Sequence, residues 1–186
     1  MTVAEFLDWP GDGTSTKYQL VDGEIHAMAP ASARHGRIQA RISRLLGAHL
    51  DDGPCQLLVA PGVVPRARSD ANLRVPDLGV TCEPDELAQH TLVDPILLIQ
   101  ILSPSNERET RRNVWAYATI PTVREILLVE STRVAAELLR RQPDGSWPPD
   151  PQVLGPGDQL ELTSIDFTCG LKDFYRGTRL AEPHAS

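Results

Sequence analysis

Two apolar runs constrain the fold of this chain more than any other feature of its sequence. They cover residues 75–82 and 95–105, and both have strand length with Pro, Asp or Ser at their ends, which is typical of buried strands. Each run carries one polar side chain where a fully buried strand would carry none: Asp77 opens the first and Gln100 lies in the middle of the second. The pattern predicts two core strands that direct a carboxylate and an amide toward one site.

Asp77 has two interpretations on sequence alone. Oxygen ligands on adjacent strands hold a hard cation such as Mg²⁺ against a phosphate in metal-dependent phosphodiester hydrolysis, and Gln100 would then be a neutral ligand. A strand-end carboxylate can equally cap a backbone N–H. Other Pro-Asp pairs occur in polar, turn-like surroundings, and only Pro76-Asp77 leads directly into an apolar strand. Both interpretations therefore stay open.

Length and composition predict one domain in a reducing compartment. A chain of 186 residues can bury a real core, and no shift in composition divides it. No run of eighteen apolar residues and no basic leader followed by an apolar segment is present, so no membrane association is expected. The three cysteines are far apart and lack CxxC spacing, which indicates neither a disulfide framework nor a zinc site. We therefore expect a cytoplasmic protein with reduced thiols.

The distribution of charged residues shows one basic segment within a chain that is acidic as a whole. The net charge of -7 argues against a general nucleic-acid coat protein. From Ala33 to Leu50 apolar residues recur at helical spacing, flanked by a stripe of arginines that can lie along a phosphate backbone or form a solvated helix flank. The candidate nucleic-acid-binding residues are this stripe and the histidine at the helix start: Arg34, His35, Arg37, Arg41 and Arg44. His35 can equally be a structural imidazole.

The remaining patterns predict α+β architecture with one mixed sheet. Thr2-x-x-Glu5 predicts a capped first helix, and Asp22-Gly23 predicts a hairpin turn in which Glu24 is either a ligand or a solvated charge. A helix is expected over 106–117, capped by Ser105 or Asn106, and the Pro-rich residues 143–157 are expected to form a loop. Further strands are predicted at 55–60, 62–67, 124–129, 134–139 and 159–162, with a short helix near 171–175.

Five segments, in order, resemble the Uma family, which is assigned to the PD-(D/E)XK nuclease superfamily. They are YQLVDGE at 18–24, His35 opening a helix, VPD at 75–77, LIQILSPSN at 98–106, and Tyr117 followed by VREILLV at 123–129. The resemblance covers residues 1–176 and leaves 177–186 as a C-terminal tail. It implies a restriction-endonuclease-like core, a mixed β-sheet flanked by helices, that cuts DNA with Mg²⁺ or Mn²⁺. It leaves a homodimer open.

The resemblance also implies the site residues, and this chain departs from several of them. Asp77 and Glu24 match acidic positions of the family, whereas Gln100 and Gln19 stand where the family has Glu. Asn113 stands where the family has a lysine, and Arg111 or Arg112 is expected to lie near that place. Losing a charged ligand and a cation predicts a slow or inactive enzyme, because one preorganised group is commonly worth on the order of 10²-fold in rate.

Two function classes follow from these departures. The first is a weak or reconfigured metal-dependent endonuclease with Asp77 and Glu24 as ligands, Gln100 as a neutral ligand and the Arg111/Arg112 pair as charge stabiliser. The second is a non-catalytic nuclease-fold module that binds nucleic acid or a protein partner. Other chemistries lack their patterns: Ser103-Pro104-Ser105 is no glycine-flanked nucleophile elbow, no HExxH pair occurs, and no Gly-rich phosphate loop precedes a helix.

Overall fold

The computed structural model of the chain describes residues 1–84, 86, 90–104 and 107–181. Within these residues, regular structure alternates between short strands and three α-helices. The helices are α1 Val3–Leu7, α2 Ala33–Leu50 and α3 Glu107–Ala118. The strands are β1 Tyr18–Val21, β2 Glu24–Ala27, β3 Gln56–Val59, β4 Leu78–Thr81, β5 Pro95–Leu102, β6 Glu125–Glu130, β7 Ala136–Arg140, β8 Gln152–Leu154, β9 Gln159–Leu162 and β10 Phe167–Gly170.

A six-stranded mixed sheet forms the centre of the molecule. Its strand order is β3-β4-β5-β6-β7-β8, in which β5 and β6 run parallel and all other neighbours run antiparallel. The parallel pair requires a crossover, and α3 supplies it. Two separate hairpins, β1-β2 and β9-β10, accompany the sheet. The α+β class with a mixed sheet flanked by helices is therefore confirmed.

Alternating side chains of β5 build a core on each face of the sheet. Leu97, Ile99 and Ile101 belong to a cluster that also contains the apolar stripe of α2, namely Ile38, Ile42, Leu46 and Leu50. Leu98 and Leu102 belong to a second cluster, with Val114 and Tyr117 of α3. Because side chains alternate along a strand, Gln100 lies on the same face of β5 as Leu98 and Leu102. Every residue of β5 is buried, which explains the continuous apolar run.

Local sequence signals produce the geometry that they predict. Thr2 and Glu5 form the expected capping box at the start of α1. Asp22 and Gly23 both have positive φ, 53° and 88°, as a two-residue hairpin turn requires. A Cβ at Gly79, in β4, would lie 2.6 Å from Leu92 Cδ2, so a larger residue there would force the Leu92 side chain to shift. The predicted cap of α3, Ser105 or Asn106, lies outside the described residues.

The structure corrects two predicted elements and adds a third that was not predicted. Residues 62–67 do not form a strand, and only Val63 makes a bridge, with Arg74, because the flanking prolines cannot donate hydrogen bonds to a ladder. The Pro-rich stretch 143–157 contains the edge strand β8, and its prolines lie outside that strand. Strand β10 was not predicted from sequence, and it pairs with β9 after a 3₁₀ turn at Thr163–Ile165.

The expectation of three reduced thiols is wrong. Cys55 and Cys82 form a disulfide, although 27 positions separate them in the chain. Gln56 pairs with Thr81 in the β3-β4 ladder, so the next residues outward, Cys55 and Cys82, also face one another. Cys169 is free and half-buried, and burial, aided by the charge of Asp173, raises the pKa of its thiol to about 11. In the described part of the chain, no helix is long and apolar enough to cross a membrane.

Glu125 is a buried carboxylate that joins the sheet to the last hairpin. Its side chain is fully buried at the start of β6, where Arg140 Nε donates to Oε1 at 2.7 Å. The hydroxyl of Ser164 donates to Oε2 at 2.6 Å, and the backbone N–H of the same residue donates at 2.9 Å. Burial alone would raise the pKa of Glu125, but the bonds from Ser164 and Arg140 outweigh it and hold the pKa below its ordinary value. This carboxylate therefore serves the fold.

Candidate active site

Asp77 and Gln100 lie across from one another on neighbouring strands. In the antiparallel β4-β5 ladder Leu78 pairs with Ile99, so the preceding residue, Asp77, faces the following one, Gln100. Both line a pocket of about 400 Å³. Its walls also come from the β1-β2 hairpin region, the first turn of α2 and α3. Of the three side chains expected to converge on one concavity, Asp77, Gln100 and Glu24, the first two line the same pocket.

The carboxylate of Asp77 is held by donors on both oxygens. Nε2 of His35 lies 2.8 Å from Oδ1, and the backbone N–H of Ile101 donates to Oδ2 at 2.7 Å. The backbone oxygen of Asp77 accepts from Gln39 Nε2 at 2.9 Å. About one sixth of the side chain remains exposed, at 16%. The two interpretations of Asp77 are thus compatible, because it caps the N–H of Ile101 and still faces the pocket.

His35 is buried beside Asp77 in the lining of the pocket. Its ring is 7% exposed and contacts Asp77 rather than pointing into solvent. Ser32 accepts the backbone N–H of His35 through its side chain, which caps α2 and fixes the first turn of the helix. The histidine therefore positions the carboxylate. A direct contact with phosphate stays a prediction.

Four carboxamide side chains line the pocket and form hydrogen bonds with protein groups, namely Gln19, Gln39, Gln100 and Asn113. Gln100 Nε2 donates to the hydroxyl of Tyr117 at 2.7 Å. Gln19 Nε2 donates to Glu109 through a short hydrogen bond, and Asn113 Nδ2 donates to Gln19 Oε1 at 3.5 Å. Tyr117 is fully buried, and its burial raises the pKa of the phenol, so the hydroxyl keeps its proton. Two of the residues that depart from the family pattern, Gln19 and Asn113, thus share one network with Glu109, and Gln100 bonds to Tyr117.

Glu109 and Lys17 are charged residues of the pocket that the sequence interpretation missed. Glu109 lies on α3, and Lys17 precedes β1. A signal for the first was present, because Glu109, Asn113 and Tyr117 recur at four-residue spacing and so share one helix face. No comparable signal singles out Lys17. It is the only Lys or Arg among the described residues that line the pocket.

Three predicted catalytic residues lie outside the described pocket lining. Glu24 is exposed on the hairpin, and its carboxylate lies 3.7 Å from His26. Arg111 pairs with Glu107 at 3.1 Å and makes two hydrogen bonds of 2.9 Å to Glu137, which raise its pKa. Arg112 is exposed on the same helix. Convergence of Glu24 with Asp77 is therefore not observed, and neither arginine occupies the place of the family's lysine.

The arginines of α2 form the predicted stripe outside the pocket. Arg34, Arg37 and Arg44 are exposed, whereas Arg41 is half-buried and its Nε donates to the backbone oxygen of Asp173 at 2.9 Å. Arg34 also approaches a backbone oxygen, that of Ser131, at 3.4 Å. Arg37 and Arg44 are thus better placed to contact a phosphate than Arg41. Nucleic-acid binding by the stripe stays a prediction.

The donor set of the pocket suits a hard cation that also binds phosphate. Asp77 and Glu109 supply carboxylates, and Gln100 supplies an amide, all oxygen donors. Among the described residues, no group of three or more His, Cys, Asp or Glu side chains is arranged to hold a metal ion. Mg²⁺ commonly uses only one or two protein carboxylates and completes its coordination with water and substrate phosphates. The pocket therefore fits Mg²⁺ or Mn²⁺ better than a fully protein-caged metal.

The architecture defines the class of this protein as an α+β fold with a mixed sheet, and a solved structure shares it. A crystal structure titled as that of "a putative nuclease belonging to DUF820" from Anabaena variabilis is similar, with a TM-score of 0.74 over 94% of this chain and 97% of that one. Its sequence identity of 18% supports the fold alone.

Sequence comparisons identify the family within this class. The model of the Uma2 family, described as "Putative restriction endonuclease", matches residues 3–171. Two proteins of Synechocystis are similar in sequence, and both are named as uncharacterized. The protein slr1290 is 33% identical over 93% of this chain and 90% of its own length, and sll1609 is 28% identical over 79% and 84%. The chain belongs to the Uma2 family, which confirms the resemblance found in the sequence.

Proposed function

We propose that this protein is a slow metal-dependent endonuclease that hydrolyses DNA phosphodiester bonds at the Asp77 pocket. The observation that supports this most directly is the position of Asp77, facing Gln100 across two buried strands and partly exposed to the pocket. His35 and Ile101 fix the carboxylate before any ligand arrives. A carboxylate that is already held in one orientation can bind a metal ion without having to rearrange.

The charges of the lining explain why a cation is required. Asp77 and Glu109 contribute two negative charges and Lys17 one positive charge, so the described lining repels a phosphate diester on balance. A bound Mg²⁺ or Mn²⁺ would supply Lewis acidity and lower the pKa of an attacking water. Asp77 would hold the ion, Gln100 would add a neutral oxygen, and Lys17 would contact the phosphate from the pocket rim. Glu24 has no part in this arrangement because of its position on the hairpin.

The low expected rate follows from the amide network. Asn113 is neutral and Arg111 is bound to two glutamates, so no described cation stands where the family has its lysine. The same network favours a second candidate function, a non-catalytic module that binds DNA. Its carboxamides already have protein partners, and the pocket is held together without a cation. In this alternative, the arginines of α2 would contact the phosphates.

Metal titration and a plasmid-nicking assay with Asp77→Asn distinguish the two functions. Asparagine keeps an oxygen for the Ile101 N–H but loses the negative charge, so the variant should fold while Mn²⁺ binding and nicking disappear. Asp77→Ala is a poorer control, because an unpaired buried N–H costs about 1–3 kcal/mol of stability. Metal-dependent nicking that Asp77→Asn abolishes supports the enzyme. DNA binding by a protein that neither binds metal nor nicks would support the module.

A DNA substrate would also place this protein in the cytoplasm. The Cys55–Cys82 disulfide removes the thiol argument for that location, which therefore rests on the proposed substrate alone. The homodimer that the sequence left open stays a prediction, as does the assignment of residues 1–176 to one domain.

A further inference from the structure

Glu109 lies on α3 and lines the pocket that also contains Asp77. It is half-buried on α3, and the side-chain amide of Gln19, 90 positions away, donates to its Oε1. This bond places an oriented carboxylate among the lining residues that include Asp77 and Gln100. Hydrogen bonds that hold a carboxylate in one orientation are typical of the groups that surround metal ligands.

The two carboxylates belong to one electrostatic environment. Asp77, Gln100 and Glu109 all line the same pocket, and Gln100 Nε2 donates to the buried hydroxyl of Tyr117. A divalent cation near Gln100 would therefore interact favourably with both charges, whereas Asp77 alone would offset only half of its charge.

We infer that Glu109 supplies the second anionic ligand for a divalent cation in this pocket, at a site where Gln100 contributes no charge. Gln19 is then a positioning residue, because its amide holds the Glu109 carboxylate. A glutamate at position 19 would instead place two like charges in contact. This inference rests on the proposed metal-dependent function, and it adds the residue that completes the charge of the site.

Calorimetric titration of the full chain with Mn²⁺ tests the inference independently of nuclease activity. We expect Glu109→Gln to weaken Mn²⁺ binding by about 100-fold or more, since even groups that merely orient a ligand are worth about 10–100-fold. Glu107→Gln is the matched control: it removes the same charge from the same helix, at an exposed residue paired with Arg111, and should change affinity by no more than about twofold.

A charge-restoring variant sharpens the test. Glu109→Gln combined with Gln100→Glu has the same net charge as the natural chain, and it should regain most of the lost affinity if two carboxylates are the requirement. Glu109→Asp, which keeps the charge on a shorter side chain, should lose about tenfold, and it serves if Glu109→Gln fails to fold by circular dichroism.

The outcomes separate this inference from the proposed function. Wild-type affinity in Glu109→Gln, with binding abolished in Asp77→Asn, would overturn the role of Glu109 and leave the metal-dependent function standing. An equal loss in Glu107→Gln would overturn it as well, by showing a general effect of charge. No Mn²⁺ binding by the natural chain would remove the proposed metal-dependent function together with the inference.

Discussion

The most direct perturbation of the site introduces the charged residues that the family has at positions 100 and 113, through Gln100→Glu and Asn113→Lys. Gln100 is 5% exposed and donates to the Tyr117 hydroxyl at 2.7 Å. After Gln100→Glu, that hydroxyl can rotate and donate to the new carboxylate, because burial raises the pKa of Tyr117 and keeps it protonated. A hydrogen bond to a charged group is worth about 1.5–3 kcal/mol, which offsets part of the burial cost. We expect the variant to fold.

The companion change, Asn113→Lys, introduces a cation one turn after Glu109. A glutamate four residues before a lysine is the favourable helical arrangement, worth about 0.2–0.5 kcal/mol on an exposed helix. Asn113 is buried, at 6% exposed, and it donates to Gln19 in the pocket. The longer side chain would replace that contact and bring its ammonium to the pocket lined by Glu109 and Asp77. Attraction to those carboxylates offsets the cost of partial burial.

The expected gain in rate follows from the number of groups restored. Each preorganised charged group is commonly worth on the order of 10²-fold, so the double variant should nick plasmid DNA about 10⁴-fold faster than the natural chain. Because such groups act as a unit, each single change alone should give less than about 10²-fold, and the gain of the double variant should exceed the product of the two single effects. Gln100→Glu alone should tighten Mn²⁺ binding by about tenfold, or about 1.4 kcal/mol, and only while Asp77 is present.

The measurement is supercoiled-plasmid nicking in Mg²⁺ and in Mn²⁺, with the triple variant that adds Asp77→Asn as the control. A double variant that stays folded, binds Mn²⁺ through Asp77 and leaves DNA uncut would refute the enzyme interpretation. The protein would then be a nuclease-fold binding module. Failure of both the natural chain and the double variant to bind metal would leave Asp77 only its structural role as the acceptor of the Ile101 N–H.

Two further predictions concern the DNA surface and the fold. Arg37→Ala and Arg44→Ala should each lower the slope of log affinity against log salt for DNA binding by about one unit. Arg124→Ala is the control and should leave that slope unchanged, because Arg124 is exposed beside Ile96, at the end of β5 away from Gln100. Glu125→Gln should lower the unfolding free energy by about 2–3 kcal/mol at pH 7, measured by urea denaturation. Because the folded pKa of Glu125 is depressed, its contribution is present above the unfolded pKa and is lost as pH falls through the folded value, so wild type and variant should converge in acid.

The elements predicted well from sequence are those whose signals are local. The apolar run of β5 and the stripe of α2 reflect burial within a single element, and both elements appear where their periodicity places them. Asp77 and Gln100 were paired correctly because each interrupts an apolar strand next to the other. Predictions of these elements and of this pair need only the local sequence pattern of each segment and the order of the strands.

The contacts that were missed depend on partners far apart in the chain. Glu109 and Gln19 meet across 90 positions, and Cys55 and Cys82 meet only because the β3-β4 register brings them together. Arg111 looked available as a replacement cation because sequence cannot show that Glu137, 26 positions later, binds it. In each case a local pattern allowed several partners, and tertiary packing selected one.

The position of the carboxamides links the stability of the pocket to its chemistry. Carboxylates at positions 19 and 100 would crowd negative charge beside Asp77 and Glu109, and a site of that kind needs a cation to offset the repulsion. Amides at the same places donate hydrogen bonds to Glu109 and Tyr117, so they convert repulsion into attraction. The pocket can therefore be stable without a metal, at the cost of weaker metal binding. For this reason Gln100→Glu is expected to make the pocket depend on a divalent cation for its stability, and the same change should bring it closer to catalysis.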